Sequence, residues 1–306
     1  MGRLTIAVMA IAYAAAAHAA ARPLQLSGFV DAEGAISVLS RGDTVDPYFA
    51  MQALLIAHDN GLDTRALAAR WVAWLLPRQK PDATFDRFCK RGPVWAPCKT
   101  ADADDSLLAF WLRVTQMVPG DEKIAASRRA SAETLARLFD PARGVYLVSP
   151  VYQTALLMDN LEVWSHAPGA SELARAINAQ FWDAARGTYR YVTPGDAEAP
   201  NFYPHKVVQV FPLLFGFPIP VEAGGHYRRW MRAHRAEWLK QVEHDFAWGA
   251  IAVIAWRQGD VASVRCWLRE TLPARGGPHW TATDEAASEV FAAKGVLPAI
   301  STASCR

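Results

Sequence analysis

The segment Phe139-Asp140-Pro141-Ala142-Arg143-Gly144-Val145-Tyr146 recurs as Trp182-Asp183-Ala184-Ala185-Arg186-Gly187-Thr188-Tyr189. Each copy ends an amphipathic stretch of helical period, turns at a glycine and begins a β-branched, aromatic stretch. Glycine permits the backbone turn, and the aromatic residue can pack back on the helix end. A repeated device at the end of a helix implies repeated units along the chain.

Working outward, apolar runs begin near Tyr48, Ser106, Tyr152, Val207 and Phe246, with a weaker one near Ala286, at intervals of roughly 40 to 55 residues. Two classes of helix alternate. Tyr48–Ala57, Leu107–Leu112, Ala155–Met158 and Ala247–Trp256 are apolar on nearly every side, the pattern of a helix buried all round. Others are amphipathic. Tyr227, Trp230, Met231, His234 and Trp238 share one face against Arg228, Arg229, Arg232 and Arg235, and Leu67, Trp71, Trp74 and Leu75 do the same against Arg65 and Arg70. Pairing a buried helix with an amphipathic one, five or six times over, predicts an inner ring inside an outer ring, with a flat solenoid as the alternative. The last hairpin is expected to be short or incomplete. Before the first helix, Gly28–Ser40 reads as a short β-hairpin turning at Ala32-Glu33-Gly34.

The chain has 306 residues, about half of them hydrophobic, enough to bury one sizeable core. Net charge is +2, with Lys and Arg scattered, so composition offers no argument for nucleic acid or for a membrane surface. Arg3, the apolar run Leu4–Ala17 and the small-x-small Ala17-His18-Ala19 read as a signal peptide over 1–19. A stretch of roughly 14 apolar residues is too short to span a bilayer comfortably. One domain over 20–306, periplasmic or secreted and without stable membrane insertion after signal cleavage, is therefore expected. Cys89, Cys98, Cys266 and Cys305 suit disulfides in an exported protein, in three possible connectivities. Cys89–Cys98 would close a short polar loop around Pro93 and Pro97, and Cys266–Cys305 would tie the tail to a late helix. No C-x-x-C or close Cys/His spacing marks a metal site.

The aromatic-Asp-x-x-x-Gly-x-Tyr segments resemble those of six-hairpin glycosidase-type proteins, a likeness that covers most of the mature chain. Asp102-Ala103-Asp104-Asp105-Ser106-Leu107-Leu108-Ala109-Phe110-Trp111-Leu112 resembles the Asp-x-Asp-Leu helix start of the family 8 glycoside hydrolases, bacterial cellulases among them. Thr44-Val45-Asp46-Pro47-Tyr48-Phe49-Ala50-Met51 is similar in position to that family's first catalytic helix. The resemblance implies an all-α fold, an (α/α)6 toroid of helical hairpins. It also places Asp46 where that family has a general-acid Glu. The family's general base, an Asp opening a later inner helix, corresponds to Asn201-Phe202-Tyr203-Pro204-His205-Lys206, which contains no carboxylate.

In such a toroid the inner helices run roughly parallel, so their N-termini gather at one mouth. The openings carry Asp46; Asp102, Asp104 and Asp105; Tyr152 and Gln153; Tyr203, His205 and Lys206; His244 and Asp245; and Asp284 and Glu285. An Asp at a helix start also serves as a cap, and first-turn acids are stabilised by the helix dipole, so Asp46 reads equally well as a cap before Pro47. Three acids within Asp102–Asp105 exceed what one cap needs, and their mutual repulsion would raise at least one pKa. Asp104 and Asp105 are the first candidates for proton transfer, with Asp46 and Asp245 beside them.

Glycoside hydrolysis needs one carboxyl to protonate the leaving oxygen and another to activate water or attack, roughly 6.5–9.5 Å apart for inversion and about 5–5.5 Å for retention. Asp102, Trp95, Tyr152, Tyr203, His205, Lys206, His244, Trp248 and Trp280 are placed as substrate-binding residues, the aromatic ones as stacking surfaces, although core packing explains many tryptophans equally well. No cofactor is implied for hydrolysis. A second reading takes Tyr203, His205, Lys206 and His244, with Asn201, as the proton-abstracting and charge-neutralising set of a polysaccharide lyase. A third takes the chain as a non-catalytic polysaccharide-binding protein of an export or assembly system. The expected partner is a polysaccharide or oligosaccharide, and hydrolysis of a bacterial polysaccharide is the leading expectation.

Overall fold

In the computed structural model, residues 21–195, 201–301 and 305 are described. The signal peptide expected over 1–19 lies outside them. Eleven α-helices follow one another as α1 (Pro47–Asp59), α2 (Arg65–Leu75), α3 (Asp104–Val114), α4 (Glu122–Arg137), α5 (Leu157–His166), α6 (Ser171–Phe181), α7 (Val207–Val210), α8 (Ala223–Trp238), α9 (Gly249–Arg257), α10 (Val261–Thr271) and α11 (Ala282–Ala293). The odd-numbered helices form the inner layer, α7 being lengthened by the turns Phe202–Lys206 and Phe211–Leu214 on either side. Packing runs from α1 to α3 to α5, on to Phe211–Leu214, then to α9 and α11. Contact between α11 and α1 closes the ring. The layout is an (α/α)6 toroid, as the alternation of helix classes predicts. A solenoid would leave the first and last inner helices apart.

The outer helices bury one face each, through Ile124, Ser127, Ser131 and Leu135 in α4, or Tyr227, Trp230, Met231 and Trp238 in α8. That is the one-sided burial an amphipathic stripe requires. No α-helix follows α11 among the described residues. In place of a twelfth helix, the segment before α1 is tied to α11: Gln25 and Leu26 donate backbone N–H groups to the Glu289 carboxylate, at 3.1 and 2.8 Å. The tail returns to α10 instead, where Cys305 is bonded to Cys266 and Ala299 N–H donates to Arg265 C=O.

The repeated segments fold alike. Phe139–Asp140 pairs with Val145–Tyr146, and Trp182–Asp183 with Thr188–Tyr189. Asp140 and Asp183 each accept from the backbone N–H groups two and three residues on, while Gly144 and Gly187 take φ of 71° and 66°. A side-chain amide from the following inner helix then completes each hairpin as a surrogate strand. Asn160 accepts from Tyr146 N–H and donates to Tyr146 C=O, at 2.7 and 2.9 Å; Gln209 does the same for Tyr189, at 2.8 and 2.8 Å.

The β-structure differs in part from expectation. The N-terminal turn is closed by a single antiparallel bridge, Val30 to Ile36. The stretch read as a polar loop around Pro93 and Pro97 is the longest hairpin, Asp86–Arg91 against Val94–Thr100, stapled by Cys89–Cys98. Pro97, which has no N–H to donate, lies on the outer strand at a register shift, where a ladder tolerates proline. Thr44–Val45 pairs with the inner strand, fixing the hairpin beside the start of α1.

Asn160→Leu should cost roughly 2–4 kcal/mol in urea unfolding, because it strands the Tyr146 backbone groups and Leu156 C=O. A loss below about 1 kcal/mol would show that water replaces the amide.

Candidate active site

A cavity of about 550 Å³ opens where the inner helices begin. Every inner element contributes: Asp46, Tyr48 and Phe49 around the start of α1; Asp102, Ser106 and Leu107 at α3; Met158 and Asp159 at α5; Tyr203 before α7; Asp245, Trp248 and Gly249 at α9; and Thr281, Thr283 and Asp284 at α11. The gathering of helix openings expected from the ring is thus present. Five lining residues are carboxylates and one, Arg87, is a cation.

Asp46 both caps and lines. Its Oδ1 accepts from Tyr48 N–H at 3.0 Å, and its Oδ2 pairs with Arg87 Nε at 2.6 Å. Burial raises its pKa, against the opposing charge of Arg87. Arg87 reaches the site from the stapled hairpin and also meets Asp102, at 3.3 Å. Asp102 is the exposed member, with 88% of its side chain accessible at the rim.

The three clustered aspartates separate. Asp104 is absent from the cavity lining, and its pKa is raised by burial against the attraction of Lys80. Asp105 is fully buried behind the wall, with Oδ1 accepting from Ser106 N–H at 2.9 Å and Oδ2 without a hydrogen-bond partner. Its pKa is driven well up, first by desolvation and then by Asp159 and Glu162. Mutual crowding within 102–105, the expected cause, is not what acts, because the helix start directs these side chains to different surroundings.

Two carboxyls that sequence reading passed over complete the group. Asp159 and Glu162 lie one turn apart on α5, within the otherwise apolar Leu157, Met158, Leu161, Val163 and Trp164. Acids inside a helix buried on all sides are unusual enough to have marked them. Asp159 lines the cavity with 8% exposure, and its Oδ2 has no partner. Burial, then the charge of Asp102, raises its pKa to about 7. Glu162 is fully buried, and burial and Asp159 raise its pKa well above the usual carboxylate range. A hydrogen-bond chain crosses the floor to it. Thr283 Oγ1 donates to Gln52 Oε1 at 3.1 Å, Gln52 Nε2 to Tyr48 Oη at 2.8 Å, and Tyr48 Oη to Glu162 Oε1 at 2.6 Å.

On the opposite side, Asp284 joins two helices. Its Oδ2 completes a capping box with Thr281, and its Oδ1 accepts from Gly249 N–H at 2.7 Å, capping α9 from α11. A Cβ at Gly249 would lie 2.9 Å from Ala287 Cβ, so only glycine permits this approach. Burial raises the Asp284 pKa to about 6 against these hydrogen bonds. Asp245 accepts from Trp248 Nε1 at 3.2 Å. Trp248, at a left-handed φ of 54°, stacks on Tyr203 with ring centres 5.2 Å apart, and Tyr203 is 51% exposed.

Several expected contacts lie elsewhere. Trp280 is fully buried, stacked on Trp267 and bonded to Glu285; its Gly/Pro-rich flanks do not make it exposed. Trp95 is buried against Trp74, with its Nε1 donating to Asp31. Lys206 is paired with Glu237 at 2.7 Å, and His205 packs edge-on against Tyr191. Neither belongs to the lining, nor does exposed His244. Tyr152 is exposed in a loop outside the lining, because α5 begins later than expected, at Leu157. No Asp, Glu, His and Cys group among the described residues has the geometry of a metal site.

The fold, an (α/α)6 toroid, recurs in solved structures. The chain is similar to an alpha-amylase from Clostridium perfringens, with 11% identity and a TM-score of 0.59 over 88% of this chain and 94% of that one. It also matches a GH63 mannosylglycerate hydrolase from Thermus thermophilus, in complex with Tris and D-glycerate, at 11% identity and a TM-score of 0.49 over 85% and 96%. No protein-family model and no curated protein matches the chain. The first of these likenesses, at 11% identity, shows the fold alone.

Because the Asp159 pKa is raised on folding, its burial penalty is present above about pH 7 and is relieved as pH falls toward the unfolded value near 4. Relative to the parent, Asp159→Asn should therefore be more stable at pH 8 than at pH 5, by on the order of 3 kcal/mol. His166, His226 and His234, whose pKa values burial lowers, acquire protons in the same window, so the readout is the difference between variant and parent melts. A difference independent of pH would show that Asp159 is not buried as a neutral acid.

Proposed function

We propose that the protein is an exported glycoside hydrolase that cleaves a bacterial polysaccharide, with Asp159 as proton donor and Asp245 as the base that activates water. The observation that carries this reading is the convergence of five carboxylates and an aromatic platform in one cavity. Glycosidic cleavage requires one carboxyl that holds a proton near neutrality and another that is ionised. Asp159, at about 7, meets the first requirement. Asp245 lines the same cavity just before α9, oriented by Trp248 Nε1. Asp102 and the exposed face of Tyr203 are assigned to substrate binding, a ring face on an aromatic being the usual way a sugar is held.

The family 8 resemblance would make Asp46 the general acid. Both of its oxygens are engaged, by Tyr48 N–H and by Arg87, so its role here is to hold Arg87 and the start of α1. Asp159 on α5 and Asp245 just before α9 stand in for the carboxylate missing from Asn201–Lys206, which supports catalysis over a binding-only role. The lyase reading loses support because Lys206 and His205 lie outside the lining. Desolvation, then the Asp159 and Glu162 carboxylates, also raises the Tyr203 pKa, which opposes a tyrosinate base. Export is supported by the expected signal peptide and the two disulfides. No helix among the described residues is long and apolar enough to cross a membrane.

Incubation with a panel of bacterial polysaccharides, read by mass spectrometry, should give products heavier by one water per cut. Cuts without added water would replace this reading with a lyase. Asp159→Asn should lower kcat by about 10²–10⁴-fold with its fold intact by circular dichroism, whereas Asp104→Asn should leave kcat within a few fold. Full activity in Asp159→Asn would remove it as the acid.

A further inference from the structure

We propose that Glu162 is the positioning residue of the proton donor: its Oε2–H donates to Asp159 Oδ2, which keeps the Asp159 proton on Oδ1 and stabilises the carboxylate left when that proton is given up. The inference rests on the hydrolase reading for the identity of the acid, and on the cavity floor and α5 for its partner.

The cavity floor fixes which way the hydrogens point. Thr283 Oγ1–H is directed at Gln52 Oε1, so the amide end that meets Tyr48 is Nε2, which can only donate. Tyr48 Oη accepts from it and directs its own hydrogen to Glu162 Oε1 at 2.6 Å. Glu162 is fully buried, and burial, then the charge of Asp159, holds it toward the neutral acid. A neutral carboxyl carries one O–H. With Oε1 accepting from Tyr48, that hydrogen sits on Oε2.

Oε2 is enclosed and has no hydrogen-bond partner, and a buried donor left unmade is costly. Glu162 is faced by Tyr48 from α1, Asp105 and Ser106 from α3, Tyr203 before α7 and Asp159 on α5 itself. Among these Asp159 exerts the strongest charge on it. It stands three residues away on the same helix, where side chains are neighbours, and its Oδ2 is likewise enclosed and unpartnered. Asp159 also lines the cavity, whereas Asp105 does not. With Oδ2 shut away, Oδ1 is the oxygen that a substrate can meet. A proton on Oδ2 would be of no use to a leaving group, and a hydrogen arriving there from Glu162 leaves Oδ1 as the place for the proton of Asp159. In cleavage that proton passes to the glycosidic oxygen as its bond to the anomeric carbon breaks. Water adds to that carbon and yields its proton to Asp245. Glu162 keeps its own proton, and its bond to the newly ionised Asp159 becomes stronger.

Carboxyl-carbon NMR of protein labelled at aspartate, with the Asp159 signal identified by its loss in Asp159→Asn, tests the pairing without substrate. Glu162→Met removes the donor and should make Asp159 a weaker acid by about tenfold or more. In Glu162→Gln, Tyr48 holds Oε1 and the amide N–H meets the same oxygen, so Asp159 should stay within about threefold of the parent. A stronger acid in either variant would show that Glu162 repels Asp159 as an anion, and an unchanged acid in Glu162→Met that it only fills space. Either result overturns the proposal, and Glu162→Gln suffices for the first if Glu162→Met does not fold. On a cleaved glycan, Glu162→Met should lower kcat roughly tenfold and move the alkaline limit of the rate upward, and Glu162→Gln should restore both. The expected NMR pattern with no glycan cleaved would overturn the hydrolase reading and leave the pairing standing. Cleavage with an unaltered pH profile in Glu162→Met would do the reverse.

Discussion

Inner helices that are apolar on every side can be satisfied only by being surrounded. In α1 and α9 almost every residue is buried, so each needs neighbours on both flanks and an outer layer behind it. Closure of α11 onto α1 meets that need for the first and last helices together. Where α11 lacks an outer helix of its own, the segment before α1 attaches to it through Glu289. The rest of the molecule depends on that closure, because only a closed ring brings six helix starts, far apart in sequence, around one cavity.

Closure also determines the electrostatics. Polar groups that open the inner helices are drawn into a shared cavity, and for those that are buried there a charge is costly unless it is paired. The protein meets this in three ways. Asp46 takes a cation from the stapled hairpin, Asp284 takes hydrogen bonds from two helix starts, and the Asp105, Asp159 and Glu162 group is held toward the neutral acid. The same desolvation that makes this last arrangement unfavourable for ions keeps a protonated carboxyl near neutrality, which the proposed hydrolysis requires.

The hairpin at 86–100 shows how a peripheral element can enter the site. It is tied to Thr44–Val45 by strand pairing and to itself by Cys89–Cys98, and it delivers the one cation among the lining residues. Its cysteines and prolines are conspicuous in the chain, yet only strand pairing to the residues preceding α1 reveals that Arg87 belongs with Asp46.

The sequence by itself determined the alternation of buried and amphipathic helices, the two Asp-to-Tyr hairpins and the incomplete last unit, because periodicity, glycine turns and capping residues act over a few neighbours. It also placed Asp46, Asp102, Asp245, Tyr203 and Trp248 at helix openings, and these line the cavity. Tertiary structure decided which acids face the cavity and which are held protonated. Asp105 is turned behind the wall and Asp104 away from it, Trp95 and Trp280 are absorbed into the core, and Lys206 is taken by Glu237. Asp159 becomes the candidate donor through desolvation and the charge of Asp102, a residue on another helix. A pKa is set by everything within a few ångströms in space, and the chain alone does not say which distant residues those are.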